Sequence, residues 1–207
     1  MKLLFATGNK FKYELMKERL KDLDIELVTP KMLGIKVDVV EDGKTAEENS
    51  IKKAKAYYKK TKIPTIANDA GLFIDKFKDK DQPRLYVRRV NGKDDLSDKE
   101  ILDYYIDKLI RCGGRSLAHY YTGVCIIDED GKAHSDEFLE KEFLLTSTKC
   151  IKKSKDGGIL EPISYDLEAS KYFDDRTKEE VKDHYQELDD KYRQLVKKYV
   201  LKNTNKC

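Results

Sequence analysis

Apolar residues in this chain fall in short runs separated by amphipathic stretches. The run Leu3-Leu4-Phe5, flanked by Lys2 and Ala6, predicts a buried strand over Lys2–Ala6. Phe11, Leu15, Leu20 and Leu23 then recur near one helical face and predict a helix from Lys10 to about Asp22. A second short strand is expected over Ile25–Val28, ending before Thr29-Pro30. Residues Met32 to Gly43 are mixed, and their end, Glu41-Asp42-Gly43, reads as a loop. Thr45 with Glu48 three residues later fits a capping box, opening a helix that turns Ile51, Ala54 and Tyr58 inward and runs to about Thr61. Pro64-Thr65-Ile66-Ala67 predicts another buried strand with Asp69 at its C-terminal end.

Further on, Ser97 with Glu100 caps a third helix, with an apolar stripe of Ile101, Leu102, Tyr105, Ile106 and Leu109. Tyr120 to Asp128 reads as a strand, and Glu129-Asp130-Gly131 as a turn into another strand reaching about Thr146. A last long helix is expected over Lys178–Leu201, and the segment Lys149 to Asp175 has the weakest pattern. Strand–helix–strand alternation of this kind favours an α/β core, whose ligands gather outside the carboxyl ends of strands.

Composition narrows the function classes. A chain of 207 residues can build one domain, or two small lobes around a cleft, with a real core. Its 39% charged residues exceed the globular average, but the periodic apolar segments argue against disorder. The 42 basic and 39 acidic side chains are interspersed and leave a net charge of +3, which argues against nucleic acid as a main partner. No apolar run approaches membrane-spanning length and Lys2 leads into a strand, so no membrane role and a cytoplasmic location are expected. Cys112, Cys125, Cys150 and Cys207 are scattered without a C-x-x-C pair, so neither a disulfide framework nor a structural zinc site is expected.

Three constellations could carry chemistry. Thr7-Gly8-Asn9 follows a strand and opens a helix, a setting that aims backbone N–H groups at an anion, with Lys10 or Lys12 adding positive charge. The alternative is an ordinary strand-to-helix turn with Asn9 as N-cap. Glu41 and Asp69 could hold a divalent metal beside a phosphate, or accept a proton from an attacking water; the alternative is two solvated loop acids. Asp69 is the better of the two, because it follows a buried strand among small residues. Lys53, within Lys52-Lys53-x-Lys55, could point at phosphates or belong to a solvated helix face. His119, His134 and His184 have no metal-ligand spacing and read as structural or surface residues, and Cys125 reads as a core thiol.

Taken together, Ala6-Thr7-Gly8-Asn9-Lys10-Phe11-Lys12, Glu41 to Asn49 (E-x-G-x-T-x-x-E-N), Ile51 to Ala54 and Ala67 to Leu72 resemble the inosine triphosphate pyrophosphatase family in order and spacing. The resemblance is good over residues 2 to 76, with a weaker echo in Pro83 to Gly92. It implies an elongated mixed α/β sheet with flanking helices, two lobes around a central nucleotide cleft, in a single ITPase-like domain over residues 1–207 and a homodimer. The implied activity is Mg2+-dependent attack of water at the α-phosphorus of non-canonical purine nucleoside triphosphates such as ITP, dITP and XTP, releasing monophosphate and pyrophosphate. By match of position, Glu41 and Asp69 would hold the metal, with Asp69 also the proton acceptor. Thr7, Gly8, Asn9, Lys10, Phe11, Lys12 and Lys53 would grip the triphosphate, with Ala70 contributing through its backbone N–H. The family's paired aspartates stand here as Asn68-Asp69 and its following serine as Ala70. The F-G-Y-D-P and S-H-R elements have only remnants, Gly157 to Pro162 and the neighbourhood of His184. A second reading is a nucleotide-binding or regulatory protein of the same fold with little turnover.

Overall fold

A computed structural model describes residues 1–93, 95–151 and 158–201 of the chain. Gly157 and Cys207, named above, lie outside the described residues. The first half contains β1 (Lys2–Phe5), α1 (Lys10–Arg19), β2 (Glu26–Val28), α2 (Ala46–Thr61), β3 (Thr65–Ile74) and α3 (Asp98–Arg111). The second contains β4 (Arg115–Ile127), β5 (Ala133–Leu139), β6 (Phe143–Thr146), β7 (Ser164–Asp166), β8 (Lys171–Tyr172) and α4 (Lys178–Tyr199). The strands hydrogen-bond in the order β2-β1-β3-β4-β6-β7-β8, with β5 also on β4, giving the mixed α/β fold that the alternation predicts.

By contact the chain forms two units: Met1–Asp69 with Thr122–Phe138 and the residues from Gln186 onward, and Ala70–Tyr121 with Leu139–Tyr185. In the first, β1 is fully buried over Leu3, Leu4 and Phe5. It pairs in parallel with β2, Leu3 opposite Leu27, and with β3, Phe5 opposite Ile66. Parallel neighbours need crossover connections, and α1 and α2 lie in the two that are required. The core gathers Leu3, Phe5, Met16, Ile66, Val124 and Ile126 with Tyr192 and Val196 of α4.

Helix α1 departs from its expected face and length. It stops at Arg19, and Met16 and Arg19 are buried where the pattern favours Leu15, while Leu20 is buried as the pattern has it. Arg19 is inside because its Nε meets Asp189 Oδ1 at 2.5 Å and its guanidinium lies over the Tyr192 ring. Strand β3 also runs on past Asp69 to Ile74, because Leu72 and Ile74 supply further buried positions. The single strand expected to reach Thr146 is two, β5 and β6, interrupted at Glu140-Lys141-Glu142; each pairs with β4.

In the second unit, α3 has both bonds of its capping box, between Ser97 and Glu100. It buries Ile101, Tyr105 and Leu109 with Leu72, Ile74, Phe143 and Leu145. Strand β6 runs antiparallel to the start of β4, Arg115 opposite Thr146, and β7 and β8 follow in antiparallel order. Among the described residues no helix is long and apolar enough to cross a membrane.

Candidate functional site

The site grows from the carboxyl end of β1 and from the middle of β3, at Asn68 and Asp69. With Phe5 opposite Ile66, continuing the parallel register sets Asn68 and Asp69 level with Thr7 and Gly8. The turn into α1 is capped by Asn9, whose Oδ1 accepts from the backbone N–H groups of Phe11 at 2.9 Å and Lys12 at 3.3 Å. Thr7 Oγ1 accepts from Asn9 N–H at 3.1 Å. The capping alternative therefore holds for Asn9. Gly8 is different: a Cβ placed on it meets nothing within 4 Å, and its φ is not positive. Neither packing nor a left-handed backbone requires glycine there, whereas close approach of a ligand would.

Helix α2 supplies the facing residues. Thr45 Oγ1 accepts from Glu48 N–H at 3.1 Å, while the Glu48 carboxylate reaches back to Lys44 N–H rather than to Thr45. Asn49 and Lys53, four residues apart on one face, both reach β3. Asn49 Nδ2 donates to Asp69 Oδ2 at 2.9 Å, and Lys53 Nζ donates to Asn68 O at 3.4 Å and lies 3.2 Å from Glu41 Oε2. Lys52 instead pairs with exposed Asp42, and its hydrogen bond holds that carboxyl below the usual carboxylate range. Asn68 Nδ2 donates to the buried Tyr192 hydroxyl at 3.0 Å, which ties the end of this strand segment to α4.

Several of these groups line one cavity of about 480 Å³, formed wholly by residues of the first unit. It brings together Thr7, Gly8, Asn9 and Lys12 with Glu41, Lys53 and Asp69. Lys10 and Phe11 are not in its wall, and Ala70 belongs to the second unit. Ala6 and Asn68, both in the quoted motifs, also line it, and its other walls are Val37-Asp38-Val39 and Tyr57, which the sequence pattern did not single out; an aromatic ring one turn beyond Lys53 was the available signal. Burial pushes the Tyr57 hydroxyl up, against a pull from the Val37 backbone and with help from Glu41 and Asp38, so it stays a proton donor.

Charge in the cavity is mixed: the carboxylates of Asp38, Glu41 and Asp69 face the ammonium groups of Lys12 and Lys53. Among the described residues no three His, Cys, Asp or Glu side chains form a metal cage by themselves. A pair of hard oxygen donors, Glu41 and Asp69, fits an ion such as magnesium that completes its shell with water and phosphate oxygens. The three histidines lie elsewhere. His119 stacks on Phe73, His134 Nε2 is 2.8 Å from Asp128 Oδ2, and His184 is buried beside Asp166. Cys125 is a core thiol, pushed up to about 11 by burial.

The family model described as the Ham1 family matches residues 3–140, two thirds of the chain and all of the cavity wall. This chain belongs to the Ham1 family. That is the ITPase-like family which the N-terminal motifs resemble. Among Ham1-family relatives, a dITP/XTP pyrophosphatase of Leptospira interrogans is 33% identical over 141 residues, 68% of this chain and 66% of that protein's length. One of Leptospira biflexa, also called dITP/XTP pyrophosphatase, is 32% identical over 171 residues, 83% of each chain. The solved Ham1 protein of Staphylococcus aureus is 21% identical with a TM-score of 0.71, covering 93% of this chain and 98% of its own. A HAM1 protein from Coxiella burnetii is also 21% identical, with a TM-score of 0.74 and coverage of 94% and 99%. At that identity the two structures speak for the Ham1 fold.

Proposed function

We propose that the chain is a nucleoside triphosphate pyrophosphatase that hydrolyses non-canonical purine nucleoside triphosphates, dITP and XTP among them, to monophosphate and pyrophosphate. The observation that carries it is the convergence, in one cavity, of Glu41 and Asp69 with Lys12, Lys53 and the Thr7-Gly8-Asn9 turn. The names of the Leptospira relatives support the substrate class. Magnesium and a homodimer belong to the same proposal and are supported by the family resemblance, and a cytoplasmic setting by the scattered cysteines.

Each residue then has a task. Lys12 and Lys53 offset the charge of the triphosphate, and the N-terminus of α1 adds the positive end of its dipole. Gly8 lets the chain approach the phosphates without a side chain between them. Lys53, which pairs with Glu41, turns part of its charge to the substrate. Asp69 takes a proton from the attacking water. Glu41 and Asp69 would hold magnesium, which when bound would supply charge neutralisation and water activation.

The test is pyrophosphate release from ITP, dITP, XTP and the ordinary nucleotides, with and without Mg2+. Magnesium-dependent release that favours the inosine and xanthosine substrates is expected. Tight nucleotide binding without release would contradict it and identify a binding protein on the same fold.

A further inference from the structure

Asn49 is a polar side chain only 2% exposed, and both ends of its amide are used. Oδ1 accepts from Gly43 N–H at 2.8 Å and Nδ2 donates to Asp69 Oδ2 at 2.9 Å. The first bond decides the second. A backbone N–H can only donate, so the amide oxygen must face Gly43 and the NH2 group must face Asp69. Gly43 stands two residues beyond Glu41, so one side chain ties the loop bearing one acid to the strand bearing the other. Glycine is required for this contact. A Cβ on Gly43 would stand 2.5 Å from Asn49 Oδ1 and 2.9 Å from Glu48 Cβ.

We propose that Asn49, with Gly43 as its partner, is a positioning residue that holds the Asp69 carboxylate and the Glu41 loop in register across the cavity. The inference rests on the reading of Glu41 and Asp69 as a metal-holding pair, and deepens it by naming what holds them. A carboxylate rotates freely about its last torsion unless a neighbour fixes it, and functional groups need placement within about 0.5 Å. The Asn49 donor supplies that restraint on Oδ2.

Three substitutions separate positioning from mere support of the fold. Asn49→Asp keeps the shape and the Gly43 bond but sets a carboxylate oxygen against Asp69. Gly43→Ala evicts the Asn49 oxygen without touching Asp69. Asn49→Ala removes both bonds. Pyrophosphate release from dITP with Mg2+, the Mn2+ Kd by calorimetry without nucleotide, and Tm are measured on each. Positioning requires kcat to fall at least about tenfold in Asn49→Asp and Gly43→Ala, with the dITP KM within about threefold of wild type. The Mn2+ Kd of Asn49→Ala weakens about fivefold or more, and adding Gly43→Ala to it slows turnover no further, because both act through the Asn49 amide. Lower Tm with unchanged kcat and unchanged Mn2+ Kd overturns the proposal. Should Asn49→Ala fail to fold, the isosteric Asn49→Asp carries the kinetic test. A wild type that binds Mn2+ but releases no pyrophosphate sinks the pyrophosphatase reading instead, and the Mn2+ comparison still decides the role of Asn49.

Discussion

Gly123 on β4 lies directly against the backbone of Glu47 at the start of α2. A Cβ on Gly123 would stand 2.1 Å from Glu47 N and 2.2 Å from Ala46 C. No side chain fits in that space. The contact lets the first turn of α2 rest on the sheet of the first unit, and the following turns carry Asn49 and Lys53 toward β3.

Gly123→Ala therefore has to move the helix start or distort the strand. Overpacking of a close-packed contact costs about 1–3 kcal/mol, and a clash with backbone belongs at the upper end. A fall of the unfolding free energy by that amount, seen as a lower denaturant midpoint at constant m-value, is expected. An unchanged midpoint would contradict the contact.

Lys53 presents one of the two ammonium groups in the cavity, and its side chain is only 14% exposed. Lys53→Met keeps the aliphatic stem and removes the charge. A hydrogen bond to a charged group is worth about 1.5–3 kcal/mol, so the KM for the nucleotide should rise roughly 10- to 100-fold. Steady-state kinetics on dITP check this, and a KM within twofold of wild type would remove Lys53 from the phosphate site.

In the second unit, His184 is buried near Arg176, and burial first and that guanidinium second hold its pKa below the ordinary value. Its Nδ1 lies 3.0 Å from Asp166 Oδ2 without the alignment of a hydrogen bond. A histidine that resists protonation when folded adds nothing above the unfolded value of about 6.5, where both states are neutral. Below it the unfolded chain takes up a proton that the native state refuses, so stability falls as pH drops from about 7 toward 5. Asp166 works lower: burial would raise its carboxyl, but the Ala169 amide and Arg176 hold it down, so its share is lost only below about pH 4. Glu161, raised by burial, opposes the trend, and subtracting a His184→Gln curve from wild type isolates the histidine. Melting at successive pH values should give the variant a flatter profile between pH 7 and 5; parallel profiles would refute the assignment.

Much of this was legible along the chain because it is local. The cap at Thr45, the box at Ser97 and the apolar run of β1 are each read within a few residues. The failures are long-range. Arg19 is buried only because Asp189, 170 residues away, meets it. Strand β3 continues past Asp69 because distant core partners for Leu72 and Ile74 exist. The walls at Val37 to Val39 and Tyr57 come from tertiary placement of an irregular segment, which periodicity does not report. Asn49 stood inside the quoted motif, yet only the folded chain brings its amide between Gly43 and Asp69.

The most direct measurement is hydrolysis of dITP with Mg2+ in 18O-labelled water, by wild type and Asp69→Asn, with the label located by mass spectrometry. Water attack at the α-phosphorus assisted by Asp69 places the label in the monophosphate, leaves pyrophosphate unlabelled, and lowers the rate of Asp69→Asn by at least about 10³-fold with the fold retained. Label in pyrophosphate or orthophosphate, or full activity in Asp69→Asn, would contradict it.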